Sequence, residues 1–479
     1  MSKPSYGDSH PIAAPATALA ESALALIRTN GSIELISKVF SRSEKLLSAP
    51  ASSVVHGWII DPDTGDKIDE VLVSIYRAPA SYTGEDGADI SCHGSIAVVK
   101  AVMEVLKKAG FRDALPGEFT FKAFMNGKLD LTRAESVMEL VAAKTNKGRE
   151  LALRRLSGVL EKEINTIKTL LVEVHAGTEI YLDYSEDEFT GSGNDEEAGR
   201  LPGRALAEEA VRRLITLAEL WSRERIFAEG ALAVLAGRPN AGKSSLFNYL
   251  IKEDRSIVTD VPGTTRDWIE ALLSVEGIPL RLVDTAGLRD TDGQVVESIG
   301  IQRTFELLDK ADLVIYVIDG TEGITESDRE FRSYLAKASW CPTKPMITVW
   351  NKADIASLPS AEVNGLSCPL VTVSAKTGEG VPELIQLIAE YLEKPSADSE
   401  SRPVLSQDAA GPGTLRQKEL IDTALAAVEE ALSLAEQEEA LDIIAPLFRS
   451  AINALGEITG EIYTDDVLDI MFSRFCVGK

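Results

Sequence analysis

Hydrophobic and polar positions alternate differently in successive regions of the chain. In residues 1 to about 125, β-branched runs such as Val71 to Tyr76 stand beside a helix-like stretch from Ile96 to Ala109, which predicts an α+β domain. From Leu129 to Glu224, long stretches of Leu, Ala, Glu and Lys with few breakers predict helices. The acidic, glycine-bearing segment from Ser185 to Gly203 interrupts these helices and is predicted to be a loop.

Between Phe227 and Lys394, apolar strands alternate with helical segments, a pattern typical of a parallel α/β sheet. The predicted strands are Ala231 to Ala236, Leu280 to Asp284, Leu313 to Asp319, Met346 to Trp350 and Leu370 to Val373. A linker rich in Pro, Ser, Asp and Gly follows from Pro395 to Gly413, and helical periodicity then resumes through Phe475.

The domain boundaries are predicted where these patterns change. Residues 1–127 form an α+β domain, and residues 227–394 form an α/β domain. Residues 128–226 and 395–479 form the two parts of a helical domain. The simplest architecture therefore inserts the α/β domain into the helical domain.

Composition and charge limit what the protein can bind and indicate the compartment in which it works. The 479-residue chain carries 49 basic and 75 acidic residues, a formal charge of −26, which repels phosphate backbones over much of the surface. If nucleic acid is a substrate, a local patch or a partner protein must therefore hold it. Four cysteines, widely spaced and without metal-ligand or disulfide-framework spacing, fit a reducing cytoplasm.

Neither an export signal nor a membrane span is expected. The Ala-rich stretch from Pro11 to Ile27 lacks a basic n-region and carries Glu21 within its apolar run, which argues against a signal peptide. The chain contains no uninterrupted apolar run of about 18 residues, the length a transmembrane helix requires. We therefore expect a cytoplasmic protein without membrane association.

The segment from Gly237 to Ser244, Gly-Arg-Pro-Asn-Ala-Gly-Lys-Ser, follows an apolar strand and opens a helix, as a P-loop does. Its glycines let backbone N–H groups and the helix N-terminus face a phosphate. Lys243 is expected to reach the β and γ phosphates and the Ser244 hydroxyl to bind Mg²⁺. Nucleotide contacts are assigned to the second half of the loop and the residue after it: Asn240, Ala241, Gly242, Lys243, Ser244 and Ser245.

Three further segments end predicted strands, where parallel sheets bind ligands. Asp284 is expected near Mg²⁺, and after Thr285 and Ala286 the N–H of Gly287 is expected near the γ-phosphate. The base is expected to be read by Asn351, Lys352 and Asp354 and by Ser374, Ala375 and Lys376. The Asp354 carboxylate accepts both N1–H and the 2-amino hydrogens of guanine, a donor pair that adenine lacks. The sequence therefore predicts a Ras-like GTPase domain that binds GTP rather than ATP.

The segment Gly263-Thr264-Thr265-Arg266-Asp267 occupies the place of a switch loop, and Thr265 is the predicted Mg²⁺-binding threonine. A turn leading into a strand is the alternative. Leu288 directly follows Gly287 and cannot orient water as the glutamine of many GTPases does. Asn240 is therefore a candidate ligand for a monovalent cation beside the phosphates, the alternative being that it only stabilises the loop.

Several motifs outside the nucleotide site are absent from generic GTPases. They are Tyr82 to Asp86, Pro116 to Thr120, Asn126 to Asp130, Asn453 to Gly460 and Phe475 to Lys479. Together with the P-loop and the segment 263–267, they give the sequence a resemblance to the MnmE (TrmE) family of tRNA modification GTPases over nearly the whole chain.

The resemblance implies a homodimer formed through the N-terminal domain, which in this family binds a tetrahydrofolate derivative (5,10-methylene or 5-formyl) as one-carbon donor. It also implies a FAD-dependent partner of the MnmG type, assembled into a heterotetramer. The family adds an aminomethyl or carboxymethylaminomethyl group to C5 of the wobble uridine of certain tRNAs. Its GTPase domains approach each other when potassium binds, and hydrolysis follows.

The resemblance also assigns residues. The implied K⁺ ligands are Asn240, Thr259, the carbonyl of Val261 and Thr264, and Glu297 matches the glutamate that acts on water. Without the resemblance, Glu297 reads as a surface helix carboxylate. The implied folate contacts are Arg28, Asp89, Lys128 and Lys479. Cys476 matches the C-terminal cysteine of the family, with a thiolate role and simple packing as the two interpretations.

The sequence departs from the family pattern within the N-terminal domain. Ala18 to Glu21 stands in place of a Pro-Gly-Arg-Gly turn, Asp89 in place of Glu, Lys122 in place of Arg, and Cys92 to Ser95 in place of a Gly-His-Gly-Gly turn. A competing hypothesis is a GTP-switched RNA-binding or ribosome-assembly factor without modification chemistry. Such a factor needs a basic, aromatic-interleaved patch, which the acidic sequence does not display.

Overall fold

The computed structural model describes residues 6–183, 201–252, 269–284, 307–330, 346–357, 368–393 and 410–479. Its contacts divide the chain into two compact units. The first comprises Met1–Met138, Arg155–Arg212 and Glu419–Lys479, and the second comprises Glu139–Arg154 and Arg213–Lys418. Along the sequence the second unit thus lies between segments of the first. The division into four segments at 127/128, 226/227 and 394/395 stays a prediction.

A six-stranded sheet forms the centre of the N-terminal part of the first unit, with the strand order β3-β4-β5-β2-β1-β6. Neighbouring strands are antiparallel except for the pair of β1 and β6, which is parallel. The strands are β1 (Ile12–Pro15), β2 (Ser22–Asn30), β3 (Ser53–Ile60), β4 (Lys67–Tyr76), β5 (Gly87–Gly94) and β6 (Arg112–Asp113). The predicted strand from Val71 to Tyr76 is therefore confirmed within β4, and the Ala-rich stretch from Pro11 to Ile27 contributes to β1 and β2.

Five helices accompany this sheet, and the first three of them contribute to the core on one of its faces. They are α1 (Ile33–Ser37), α2 (Ser43–Ser48), α3 (Ile96–Ala109), α4 (Glu118–Met125) and α5 (Leu131–Ala142). The predicted helix from Ile96 to Ala109 is confirmed as α3. Its apolar residues recur every three or four positions, so Val102 and Leu106 pack fully buried in one core with Ile27, Val73 and Ile90 of the sheet.

Long helices follow, as the sequence between Leu129 and Glu224 predicts. They are α6 (Asn146–Leu156), α7 (Val159–Asp183) and α8 (Arg204–Glu229). Most of the predicted loop from Ser185 to Gly203 lies outside the described residues. In the ranges that the structure describes, none of the helices combines the length and apolar character needed to cross a bilayer.

A second six-stranded sheet forms the core of the second unit, in the order β12-β11-β10-β7-β9-β8. Its strands and helices are β7 (Ala231–Gly237), α9 (Lys243–Lys252), β8 (Ile269–Val275), β9 (Ile278–Asp284), β10 (Leu313–Asp319), β11 (Met346–Asn351), β12 (Leu370–Thr372) and α10 (Val381–Glu393). The five predicted strands are confirmed. Every residue of β10 is buried, because apolar clusters cover both faces of this central strand.

The five predicted strands are parallel to one another, and a sixth strand that was not predicted lies at one edge of the sheet. Strand β8 pairs antiparallel with β9, whereas the other pairs are parallel. The turn between β8 and β9 consists of Glu276 and Gly277, both at positive φ, which is the short connection of a β-hairpin. A connection of this length cannot return a strand in the parallel direction.

Three helices follow in the C-terminal part of the chain: α11 (Leu415–Glu436), α12 (Leu441–Thr459) and α13 (Asp465–Phe472). The predicted return of helical periodicity is thus confirmed, and most of the linker from Pro395 to Gly413 lies outside the described residues. After α13, the aromatic rings of Phe472 and Phe475 pack with those of Phe121 and Tyr6. This cluster holds the C-terminus of the chain against the N-terminal region of the same unit.

Candidate functional site

The predicted P-loop connects β7 to α9. The ammonium group of Lys243 donates hydrogen bonds to the carbonyl oxygens of Gly237 at 2.9 Å and Arg238 at 2.8 Å. This buried lysine therefore lies inside the curve of the loop, where a phosphate chain would meet it. Asn240 is exposed and has φ of 64°, in the left-handed region that Asn tolerates better than most residues. Its side chain is therefore accessible to solvent.

Asn351 joins the P-loop to the loop after β12. Its Nδ2 donates to the carbonyl oxygen of Ala241 at 2.8 Å, and its Oδ1 accepts from the backbone N–H of Ala375 at 3.1 Å. Gly242 makes this approach feasible, since it has φ of 93° and a Cβ there would lie 2.1 Å from Asn351 Nδ2. The predicted phosphate segment and two predicted base-reading segments therefore meet at one side chain.

Two oxygen atoms converge at the start of α9. The hydroxyl of Ser244 donates to Asp284 Oδ2 at 2.7 Å, which brings together two residues that lie 40 positions apart. Asp284 is buried at the carboxyl end of β9. A hydroxyl and a carboxylate are the oxygen ligands that Mg²⁺ prefers, so the donor set fits this ion. The neighbouring Ser245 is exposed on the first turn of α9.

The base-reading aspartate also has a partner in the predicted site. Ser374 Oγ donates to Asp354 Oδ1 at 2.8 Å and accepts from the N–H of Thr377 at 3.2 Å. The Asp354 side chain is exposed while Ser374 is buried. The buried serine therefore holds one oxygen of the carboxylate, and the carboxylate stays accessible to a ligand. Lys376 lies exposed in the same loop. This arrangement provides an anionic acceptor pair for a base with adjacent N–H donors.

Asp319 is a site residue that the sequence interpretation missed. It ends β10 and accepts hydrogen bonds from the Lys352 ammonium and from the Thr321 hydroxyl and N–H. Burial by itself raises the pKa of Asp319, but the hydrogen bonds from Lys352 and Thr321 outweigh burial and lower it overall. The rule that located the other segments, a polar residue at the carboxyl end of a parallel strand, points to Asp319 as well.

Several predicted residues lie outside the described part of the chain. They are Thr259, Val261, Thr264 and Thr265 of the switch region, Thr285, Ala286 and Gly287 after β9, and Glu297. Their assignments stay predictions.

A second group of predicted residues lies on the N-terminal sheet. Arg28 on β2 stands opposite Asp89 on β5, and its Nε donates to Asp89 Oδ1 at 3.1 Å. Its Nη1 donates to the carbonyl oxygen of Gly478 at 3.0 Å. The Tyr76 hydroxyl, which the sequence interpretation missed, donates to Asp89 Oδ2 at 3.3 Å. Burial, followed by the charge of Asp89, raises the pKa of Tyr76, so the phenol stays protonated as a donor.

The remaining predicted residues of the first unit are Cys476, Lys479 and Lys128. Cys476 has an exposed side chain, and its carbonyl accepts from the N–H of Gly117 at 3.3 Å. Packing of the thiol in a core, one of the two interpretations, is therefore wrong. Lys479 is half-buried, three residues beyond Cys476. Lys128 bonds elsewhere, to the carbonyl of Pro79 at 3.0 Å.

A further polar cluster surrounds Glu85. This carboxylate accepts from Asn30 Nδ2 at 2.5 Å, Asn126 Nδ2 at 3.2 Å and Lys122 Nζ at 3.4 Å. Glu85 belongs to the motif at 82–86 and Asn126 to the motif at 126–130, whereas Asn30 and Lys122 lie outside both motifs. The cluster joins these two motifs and fixes the loop that precedes β5.

A phosphate-cradling loop, a parallel sheet and base-reading strand ends define the class of P-loop GTPases. The sequence matches the family model described as "GTP-binding protein TrmE N-terminus" over residues 11–128 and the model described as "MnmE helical domain" over residues 131–476. The chain belongs to the MnmE family of tRNA modification GTPases.

Similar proteins span the whole chain. A tRNA modification GTPase MnmE of Treponema denticola is 41% identical and covers 100% of both sequences. The protein of the same name from Carboxydothermus hydrogenoformans is 38% identical over 98% of this chain and 99% of its own. Among solved structures, the G domain of the T. maritima FeoB iron transporter is 31% identical over 34% of this chain and 98% of that chain, with a TM-score of 0.25.

Proposed function

We propose that this protein hydrolyses GTP as one step in the modification of C5 of the tRNA wobble uridine in the cytoplasm. The observation that supports guanine-nucleotide binding most directly is the double hydrogen bond of Asn351, to the carbonyl of Ala241 and the N–H of Ala375. This side chain joins the phosphate loop to the base-reading loop through hydrogen bonds of the protein itself, so little ordering is left to the binding step. Mg²⁺, held by Ser244 with Asp284 nearby and by Thr265, would supply charge neutralisation at the phosphates.

Hydrolysis is proposed to be stimulated by K⁺ within a homodimer. The exposed Asn240 supports this, because an amide oxygen that is accessible on the P-loop can act as a ligand for a monovalent cation. Thr259, the Val261 carbonyl and Thr264 are the other proposed ligands, and Glu297 is proposed to act on the attacking water. A cation at this position would serve where an arginine finger serves in other GTPases.

The N-terminal sheet is proposed to hold the folate one-carbon donor. Folate has carboxylates and a pterin ring with N–H donors, so it suits a site with both basic and acidic groups. Arg28 and Asp89 provide one group of each kind, and Lys128 and Lys479 provide further cations. The thiol of Cys476 is proposed to act in the uridine chemistry together with a FAD-dependent partner of the MnmG type, and its exposure supports this role.

Two measurements test the proposed function. Calorimetry on the purified full chain should show GDP binding and a preference over ADP of at least about a thousandfold, because a bound adenine would cover the Asp354 carboxylate without offering it the donor pair. Equal affinity for ADP would overturn the guanine assignment. Mass spectrometry of wobble nucleosides from cells lacking the protein should show the unmodified uridine. Normal nucleosides together with co-purifying rRNA would instead favour a ribosome-assembly factor.

A further inference from the structure

A protein of net charge −26 that acts on tRNA needs a local cationic surface. Helix α6 and the residues before it form such a surface. Between Lys144 and Arg155 the sequence has five basic residues and one acidic residue, a local charge of +4. The charge of this segment is therefore opposite in sign to the net charge of the chain.

Three of these cations are exposed to solvent. Lys144, Lys147 and Arg149 are all exposed, and across the described ranges no carboxylate lies within ion-pairing distance of them. Arg154, in contrast, pairs with Glu150 at 2.7 Å, and Arg155 is only 1% exposed. Exposed cations without a carboxylate partner keep their full charge for an external anion, because no internal ion pair competes for them.

The cationic helix is held firmly to the unit that contains the nucleotide site. Leu151 and Ala152 are buried, and residues 139–154 belong to the same compact unit as the P-loop. The helix backbone approaches the end of α8 so closely that a Cβ on Gly148 would lie 2.7 Å from the carbonyl oxygen of Phe227. Phe227 stands four residues before β7, the strand that leads into the P-loop. An anion bound by α6 would therefore be fixed relative to the nucleotide unit.

The exposed face of α6 favours RNA over a protein partner. Leu153 is the one apolar residue among the exposed positions of this helix, which otherwise carry Asn146, Lys147, Arg149 and Glu150. Protein interfaces have an apolar, aromatic-rich centre that this face lacks. Lys, Arg and Asn side chains are the usual donors to phosphate and ribose oxygens.

We propose that Lys144, Lys147 and Arg149 form a phosphate-binding surface for tRNA on the nucleotide-binding unit. This inference rests on the proposed function, since it names where the tRNA of that reaction is held. These electrostatic contacts are made to the phosphate groups of the RNA. They therefore position the tRNA without recognising its base sequence.

The test is a charge reversal with a matched control. The double variant Lys147→Glu/Arg149→Glu is compared with Lys100→Glu/Lys310→Glu, which changes the net charge by the same amount at two exposed lysines outside the surface. Binding of unfractionated tRNA to the full chain is measured by fluorescence anisotropy between about 50 and 200 mM KCl. The first variant should bind at least about tenfold more weakly at the low salt concentration and lose roughly 1.5 from the slope of log K against log salt. The control should stay within about twofold of the unmodified protein.

Three results would overturn the inference. They are equal tRNA affinity in the two double variants, no tRNA binding by the unmodified chain at the low salt concentration, or loss of binding to the FAD-dependent partner with tRNA affinity unchanged. GDP affinity and GTP turnover, measured on the same variants, should not change, because neither residue belongs to the nucleotide site. The proposed function fails on those nucleotide and nucleoside measurements, so the two failures are distinguishable.

Discussion

Asn351 and Ala241 lie 110 residues apart in sequence, and Asn351 Nδ2 donates to the Ala241 carbonyl oxygen at 2.8 Å. Through its Oδ1 the same side chain accepts from the N–H of Ala375. One amide therefore satisfies a carbonyl of the phosphate loop and an N–H of a base-reading loop. Both backbone groups belong to buried residues, so they have no ready replacement for this partner.

Replacing Asn351 with alanine should disconnect the two loops. Each orphaned buried group costs about 1–3 kcal/mol, and about 1.4 kcal/mol corresponds to a factor of ten in affinity. We expect Asn351→Ala to weaken GDP binding at least about tenfold and to lower the melting temperature, measured by calorimetry and thermal unfolding.

A control for this variant stands on the same strand. Thr348 is fully buried on β11, and none of the described residues forms a hydrogen bond with its hydroxyl. Thr348→Val keeps the shape and removes an unsatisfied polar group, so GDP affinity should stay unchanged and stability should stay equal or rise. Unaltered GDP affinity in Asn351→Ala would contradict the bridging role.

Asp354→Asn should change base specificity from guanine to xanthine. The amide oxygen can still accept from Ser374, so the loop keeps its support. The carboxylate acceptor that guanine requires is lost, and the new NH₂ group can donate to the 2-oxo group of xanthine. We expect GDP affinity to fall at least about a hundredfold and XDP affinity to rise, with ADP remaining weak. A variant that retains its preference for GDP would remove Asp354 from base recognition.

Asn240 should be required for stimulation by K⁺ but not for nucleotide binding. Because Asn240 has φ of 64°, alanine at this position adds about 1–2 kcal/mol of backbone strain, whereas glycine removes the amide without strain. We expect Asn240→Gly to bind GDP within about threefold of the unmodified protein, since the loop backbone keeps its shape. GTP turnover is compared in matched KCl and NaCl. Undiminished stimulation in the glycine variant would exclude Asn240, and equal, slow turnover of the unmodified protein in both salts would count against the potassium mechanism.

Asp319 should contribute a stability term that depends on pH. Hydrogen bonds from Lys352 and Thr321 lower its pKa in the folded state despite burial, so the carboxylate stabilises the fold above its ordinary pKa and the benefit is lost as pH falls through the folded value. We expect the unmodified chain to lose more stability than Asp319→Asn between about pH 5 and about pH 3 in urea unfolding. Glu383→Gln, at an exposed carboxylate of α10, serves as the control and should follow the unmodified chain. Parallel curves for all three proteins would show that Asp319 adds no such term.

Much of the nucleotide site was predictable because its motifs are local. A P-loop consists of a strand, a short glycine-bearing loop and the start of a helix within about twenty residues. All three can be recognised in the sequence from Ala231 to Lys252. Asp354 and Ser374 were found in the same way, because each belongs to a short polar segment that directly follows an apolar strand. Helix α3 was found from its 3.6-residue period alone.

The sequence by itself therefore determined the class of protein, the phosphate and base-reading segments and most of the elements, since each depends on residues close together in the chain. Only the tertiary structure decided which distant groups meet. The pairing of Arg28 with Asp89 depends on the register between β2 and β5, and the hydrogen bond from Arg28 to Gly478 spans 450 positions. Asp319 reached Lys352 because β10 and β11 are neighbours in the sheet. Strand order and register are set by the burial of apolar faces across the whole domain, and no local window contains that information.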